Sequence, residues 1–135
     1  MNEPIGPHLI RSAEGLLGPV VSAAERSVIE TAPGVELDGL AGSSVSLAVV
    51  TLEPGAVAPV HRHAHEQVGM LIRGQMTLTV AGETYEIGPG EGYVVPSDVP
   101  HGAAAGPEGA VAVEAFVAPV GYHASALPEP PDDAT

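Results

Sequence analysis

From Val45 onward, short apolar stretches alternate with turn residues along the chain. Val45-Ser46-Leu47-Ala48-Val49-Val50-Thr51-Leu52 has the β-branched and apolar content of a strand and ends at Glu53-Pro54-Gly55. Val68 to Arg73 predicts a strand stopped by Gly74. Gln75 to Val80 alternates polar and apolar residues, the period of a half-buried strand, before an Ala81-Gly82 turn. Thr84 to Ile87 predicts a short strand leading into Gly88-Pro89-Gly90, and Tyr93 to Val95 another that Pro96 breaks. Val111 to Val117 is the last clear strand, and Ser27 to Thr31 is a first one before a Pro33-Gly34 turn. Short strands with regular turn signals indicate an all-β sandwich or barrel. Upstream, the apolar positions of residues 1–25 fall partly at helical spacing. Gly15, Gly18 and Pro19 break any long helix there, which leaves a short helix or an arm packed on a partner subunit.

Composition agrees with the pattern and removes several function classes. At 135 residues the chain is one domain with modest extensions, and its 17 glycines and 14 prolines suit a fold with many turns. The net charge of −13, with four arginines and no lysine, argues against nucleic acid and against anionic membranes as partners. With no cysteine, disulfides, thiolate metal sites and cysteine nucleophiles are excluded. No stretch has the length of a transmembrane helix, and the first residues lack the basic start and apolar run of a signal peptide. The expectation is a cytoplasmic protein with a small-molecule partner. The end of the chain, rich in proline and acid, is expected to be a disordered tail.

The candidate chemistry is concentrated in Gly55-Ala56-Val57-Ala58-Pro59-Val60-His61-Arg62-His63-Ala64-His65-Glu66-Gln67. Alternate residues of a strand face the same way, so His61, His63, His65 and Gln67 would project together from a regular one. Neutral imidazole is a common ligand for zinc, iron, nickel and copper, and a further ligand must come from elsewhere in the chain. His101 follows a second strand-and-turn segment beginning at Gly90. His8 and His123 lie outside these segments and are assigned no chemical role.

These segments carry a family resemblance. Gly55, five residues, His61-x-His63, three residues, Gln67, six residues and Gly74 resemble the first cupin motif. Gly90, five residues, Pro96, four residues and His101 resemble the second. The resemblance implies a single cupin jelly-roll β-barrel over residues 27–119, after a short N-terminal extension (1–26) and before the acidic tail (120–135). It also implies one divalent metal ion (Zn, Fe, Mn or Ni) held by His61, His63, Gln67 and His101. Gln67 stands where many cupins have glutamate, Asp98 where the second motif has glycine, and Ala105 where it has asparagine.

His63-Ala64-His65-Glu66-Gln67, with Val113-Glu114-Ala115-Phe116-Val117 downstream, is similar to the small cupins of pectin and alginate degradation that open the ring of unsaturated uronic acids. By that resemblance Glu114 is the catalytic acid or base. Val120 stands where that group tends to carry an arginine. Alternation puts Ala112, Glu114 and Phe116 on one face; turned inward, that face would bury the carboxyl and raise its pKa, and turned outward it would leave Glu114 in solvent. A bulge or bend at Ala64 would take His65 out of the ligand set. Tyr93, Arg73 and Phe116 are candidate substrate-binding residues.

The resulting expectation is a homodimeric, metal-dependent enzyme acting on a small oxygenated molecule, of sugar or polyketide type. Metal-assisted proton transfer would drive isomerisation, ring opening, cyclisation or dehydration. Two alternatives stand beside it: an iron-dependent dioxygenase, and a non-catalytic module that binds a small molecule or metal.

Overall fold

The structure is a computed structural model and describes residues 20–26, 28–42 and 44–117. The segment before residue 20, the tail beyond residue 117, and with them His8, Val120 and His123 lie outside the described residues. A 3-10 turn at Ala23–Glu25 leads into eight strands: β1 Val28–Ala32, β2 Val35–Ala41, β3 Val45–Leu52, β4 Val57–His61, β5 Gln67–Val80, β6 Glu83–Ile87, β7 Gly92–Val95 and β8 His101–Val117. All pairings are antiparallel.

The path β1-β2-β3-β8-β5-β6 runs through the two longest strands, with β4 added to β8 and β7 added to β5. These long strands serve both halves of the molecule. The second part of β8 pairs with β3 and with the start of β5, whose other edge carries β7. The first part of β8 lies between β4 and the end of β5, which also carries β6. One sheet is thereby folded on itself into an open, all-β barrel of jelly-roll type.

The fold line explains why two strands predicted to be short are long. Gly74 does not end a strand; β5 runs through it with register shifts on either side. Gly74 has φ 87°, and a Cβ there would run into the backbone carbonyl of Gly109, itself at φ 80°. Two glycines let β5 and β8 touch at the corner.

Strand β3, read from its β-branched and apolar content, alternates in burial: Ser46, Ala48, Val50 and Leu52 are buried, and Val45, Leu47, Val49 and Thr51 are exposed. Its inner face joins Leu71, Met76, Leu78, Val95, Ala110 and Ala112 in the core. Leu71 and Val95 are fully enclosed, a burial that contributes about 1.5–3 kcal/mol per side chain. The β1–β2 edge is fastened by Arg26, whose guanidinium donates to Asp38 at 2.8 and 3.2 Å.

Candidate metal centre and active site

Each histidine of the expected set is delivered by a local device. Pro59 has no N–H for the ladder, and β4 shifts register between Ala58 and His61 before pairing His61 directly with His101. The chain then leaves the strand, bends at Ala64 and His65, and re-enters the sheet at Gln67. Backbone and side chain of the β7–β8 loop hold this bend: the Asp98 N–H donates to the His63 carbonyl at 2.8 Å, and Ser97 Oγ donates to the Ala64 carbonyl at 2.5 Å. Asp98 adopts φ 63° to do so. That is the left-handed conformation glycine would take most easily at this motif position, and one that Asp tolerates better than most.

The three rings converge. His61 and His101 centroids are 4.3 Å apart, His63 and His101 4.8 Å, and the candidate ligand nitrogens of all three lie within 4.8 Å of one another. The Nδ1 of His61 hydrogen-bonds the Pro59 carbonyl at 2.7 Å, that of His63 the His65 carbonyl at 2.9 Å, and that of His101 the Val99 carbonyl at 2.9 Å. A carbonyl can only accept, so each Nδ1 carries the proton and each Nε2 lone pair is left for another partner. His101 Nε2 is buried and has no hydrogen-bond partner among the described residues. Burial lowers the pKa of all three rings, His101 to about 4, so they are neutral at neutral pH. Neutral, tautomer-fixed imidazoles around an unpaired buried nitrogen fit a divalent cation.

The same cavity, about 320 Å³, receives Gln67, Tyr93, Glu114 and Phe116 from the other half of the sheet. Alternation turns Ala112, Glu114 and Phe116 inward. Tyr93 donates its hydroxyl proton to Glu114 Oε2 at 2.7 Å. Gln67 is buried, and its amide hydrogen-bonds both His63 and Glu114, joining the histidines to the carboxylate. Burial raises the pKa of Glu114 against the opposing pull of those two hydrogen bonds, and burial beside Glu114 also raises that of Tyr93. His65 stays at the cavity, its ring stacked on His63 at 4.0 Å and packed against Phe116 at 4.7 Å. Burial takes its pKa down to about 4.

Arg73 is the one candidate the structure keeps away from the cavity. The register shift between Leu71 and Arg73 sends Ile72 and Arg73 both to the exposed side. Arg73 is exposed and is not among the residues lining the cavity. Conversely, Gly69 belongs to the site although it carries no chemistry. Ala48, Glu114, Gly69 and Tyr93 form one row across four strands. A Cβ on Gly69 would lie 2.6 Å from the Tyr93 hydroxyl oxygen. The sequence signal is a glycine between Val68 and Met70 in an apolar strand, which often marks the close approach of another group.

A family model described as "Cupin domain" matches residues 48–116. The chain belongs to the cupin family. Solved cupins share the fold. KdgF from Halomonas sp. is 25% identical with a TM-score of 0.66, over 74% of this chain and 93% of that one. An RmlC-like cupin from Shewanella frigidimarina is 23% identical with a TM-score of 0.65, over 72% and 87%. A single-site variant of Bacillus subtilis oxalate decarboxylase is 19% identical with a TM-score of 0.70, over 81% of this chain and 31% of that one. No curated protein matches the sequence. Among the described residues of this cupin, no helix is long and apolar enough to cross a membrane.

Proposed function

We propose that this cupin is a metal-dependent enzyme that moves a proton on a small oxygenated molecule, in an isomerisation, cyclisation, ring opening or dehydration. His61, His63 and His101 would hold one divalent ion, Zn, Fe, Mn or Ni, and Gln67 stands beside them as the fourth donor that the cupin motif leads one to expect. When bound, such an ion supplies Lewis-acid polarisation of a substrate oxygen. With His63 Nδ1 tied to a carbonyl, Nε2 is the nitrogen left for an ion.

The observation that carries this reading is the Glu114 carboxyl, turned into the histidine cavity and held by Tyr93 at 2.7 Å. Its raised pKa brings its proton affinity towards neutral pH, where a carboxylate serves best as base and then as acid. In an isomerisation the carboxylate takes a proton from the carbon beside a carbonyl. The C–H pair moves towards the carbonyl oxygen, and the proton now on Glu114 returns to a different atom. The test is Glu114→Gln, which keeps an acceptor for Tyr93 but has no proton to exchange. Turnover of an identified substrate should fall by about 10²–10⁴-fold with metal content unchanged. Full turnover in the variant would remove the assignment.

We also propose a homodimer, formed through the outer face of β3, β8, β5 and β7. Leu47, Val49, Val68, Met70, Val94 and Val117 are exposed there. Leu47, Ala115, Val68 and Val94 are direct neighbours across the four strands. The net charge is −13, yet these exposed positions are aliphatic, so a second copy can meet them without bringing like charges together. Sedimentation should give a dimer that Val49→Lys/Met70→Lys converts to monomer; a monomeric wild type would overturn it.

A further inference from the structure

The cavity is polar at one end and aliphatic beyond it, and the strand register shows how. In the half formed by β3 and β8, Glu114 is paired with Ala48. The next inward pair along these strands is Ala112 with Val50, and the one after it Ala110 with Leu52. Leu37 and Val35 of β2 extend the same two rows. In the other half, His101 faces Val80 of β5, and the next inward positions are Leu78 and Met76. Same-face residues on a strand are about 6.6 Å apart. Two pleats of hydrocarbon therefore lead away from the histidines and Glu114 on both walls.

Among the described residues, no lysine or arginine lines the cavity, and Glu114 is its one carboxylate. Arg26 is engaged by Asp38 and Arg73 lies outside. An anionic group on the body of a substrate would be buried without a counter-charge from these walls, a costly arrangement. A sugar fares little better. Each of its hydroxyls set against Val50, Leu52, Met76 or Leu78 would lose its water partners and find no replacement, at a cost that lowers affinity severalfold or more per group.

Resting on the proposed proton-transfer function, we propose that the substrate is a neutral, largely hydrocarbon molecule with a single carbonyl or hydroxyl at one end. The oxygen is seated among His61, His63, His101 and Glu114, and the hydrocarbon body lies along Val50, Leu52, Met76 and Leu78. This selects a hydrocarbon-bodied ketone or alcohol over sugar acids, whose carboxylate and further hydroxyls would lie against the aliphatic walls formed by Val50, Leu52, Met76 and Leu78. The selectivity resides in the walls, so the metal-free protein, which has no cation to draw a carboxylate, reads it most directly.

The test uses the full chain, metal-free and Zn²⁺-loaded, and three probes: 2-decalone, 4-acetylbenzoate and D-galacturonate. Binding is followed by titration of methyl NMR signals. In the metal-free form 2-decalone should bind at least about tenfold more tightly than either anion. It should also shift the methyl resonances of Val50, Leu52, Met76 and Leu78. Equal or tighter binding of either anion to the metal-free form would overturn the inference, as would absence of ketone binding or binding that leaves those four methyls unmoved. Ketone binding by a protein that takes up no zinc would uphold the inference and fail the metal reading alone.

Discussion

The Tyr93 hydroxyl reaches Glu114 Oε2 at 2.7 Å because the residue between them on the sheet, Gly69, has no side chain. Tyr93 and Glu114 sit on β7 and β8, on opposite edges of β5. The tyrosine ring must lie flat across the middle strand to bring its proton to the carboxylate.

Replacing Gly69 should therefore disturb the pair before it disturbs the strand. Gly69→Ala would place a methyl inside the Tyr93 ring, and overpacking of this kind typically destabilises by about 1–3 kcal/mol. Gly69→Ala/Tyr93→Ala should be less destabilised than the sum of the two single variants, since the clash disappears with the ring. Thermal unfolding of the four proteins checks this; strict additivity would show that the ring does not depend on the glycine.

Tyr93→Phe isolates the hydroxyl. The hydrogen bond from Tyr93 favours the ionised form of Glu114, against the burial that disfavours it. Without that donor the Glu114 pKa should rise further. The Glu114 side-chain carboxyl ¹³C signal, titrated in wild type and variant, should show its midpoint displaced to higher pH. A midpoint displaced downward would contradict the geometry.

Much of the architecture was legible because strands β3, β6 and β7 announce themselves by composition and by bounding turns. β2 did not, since Glu36, Asp38 and Gly39 interrupt its apolar pattern. The first part of β8, Gly102-Ala103-Ala104-Ala105-Gly106-Pro107, reads as a loop by propensity, yet it is strand. Its small residues answer to packing: a Cβ on Gly102 would lie 2.9 Å from the Ala58 carbonyl and 3.1 Å from Val60 backbone. At the site, the His61-x-His63 spacing and the resemblance of the Gly90–His101 segment to the second cupin motif pointed to the trio, and a bend at Ala64 was foreseeable from having four polar residues at strand period. The inward turn of Glu114 needed the register of β8 against β3. Arg73 went the other way because a bulge, which leaves no mark in the local sequence, shifts the alternation after Leu71.

The buried histidines give the metal-free protein a defined pH response. Burial holds His65 and His101 to about 4 and also lowers His61 and His63, whereas the unfolded chain takes the ordinary value of 6.5. Between pH 6.5 and about 4 the unfolded state binds more protons, so stability should fall as pH drops through that window. Glu114 acts in the opposite sense. Its raised folded pKa means that the folded state binds the extra proton above 4.5, so stability is lost as pH rises through the range up to that pKa. Urea unfolding of metal-free wild type should weaken from pH 6.5 towards pH 4. Glu114→Gln should be more stable than wild type at pH 8 and lose that advantage at pH 4. A stability that increases on acidification from pH 6.5 to pH 4 would reverse the assignment.

The central claim is that His61, His63 and His101 hold a metal, and metal content tests it most directly. Protein purified without a chelating column, wild type and His61→Ala/His101→Ala, should be analysed as isolated and again after Zn²⁺, Fe²⁺, Mn²⁺ or Ni²⁺ is added and the excess removed. The account predicts about one ion per chain in wild type for at least one of these metals, and loss of that ion in the double variant. Wild type that retains none of the four, or a double variant that retains as much as wild type, would contradict it.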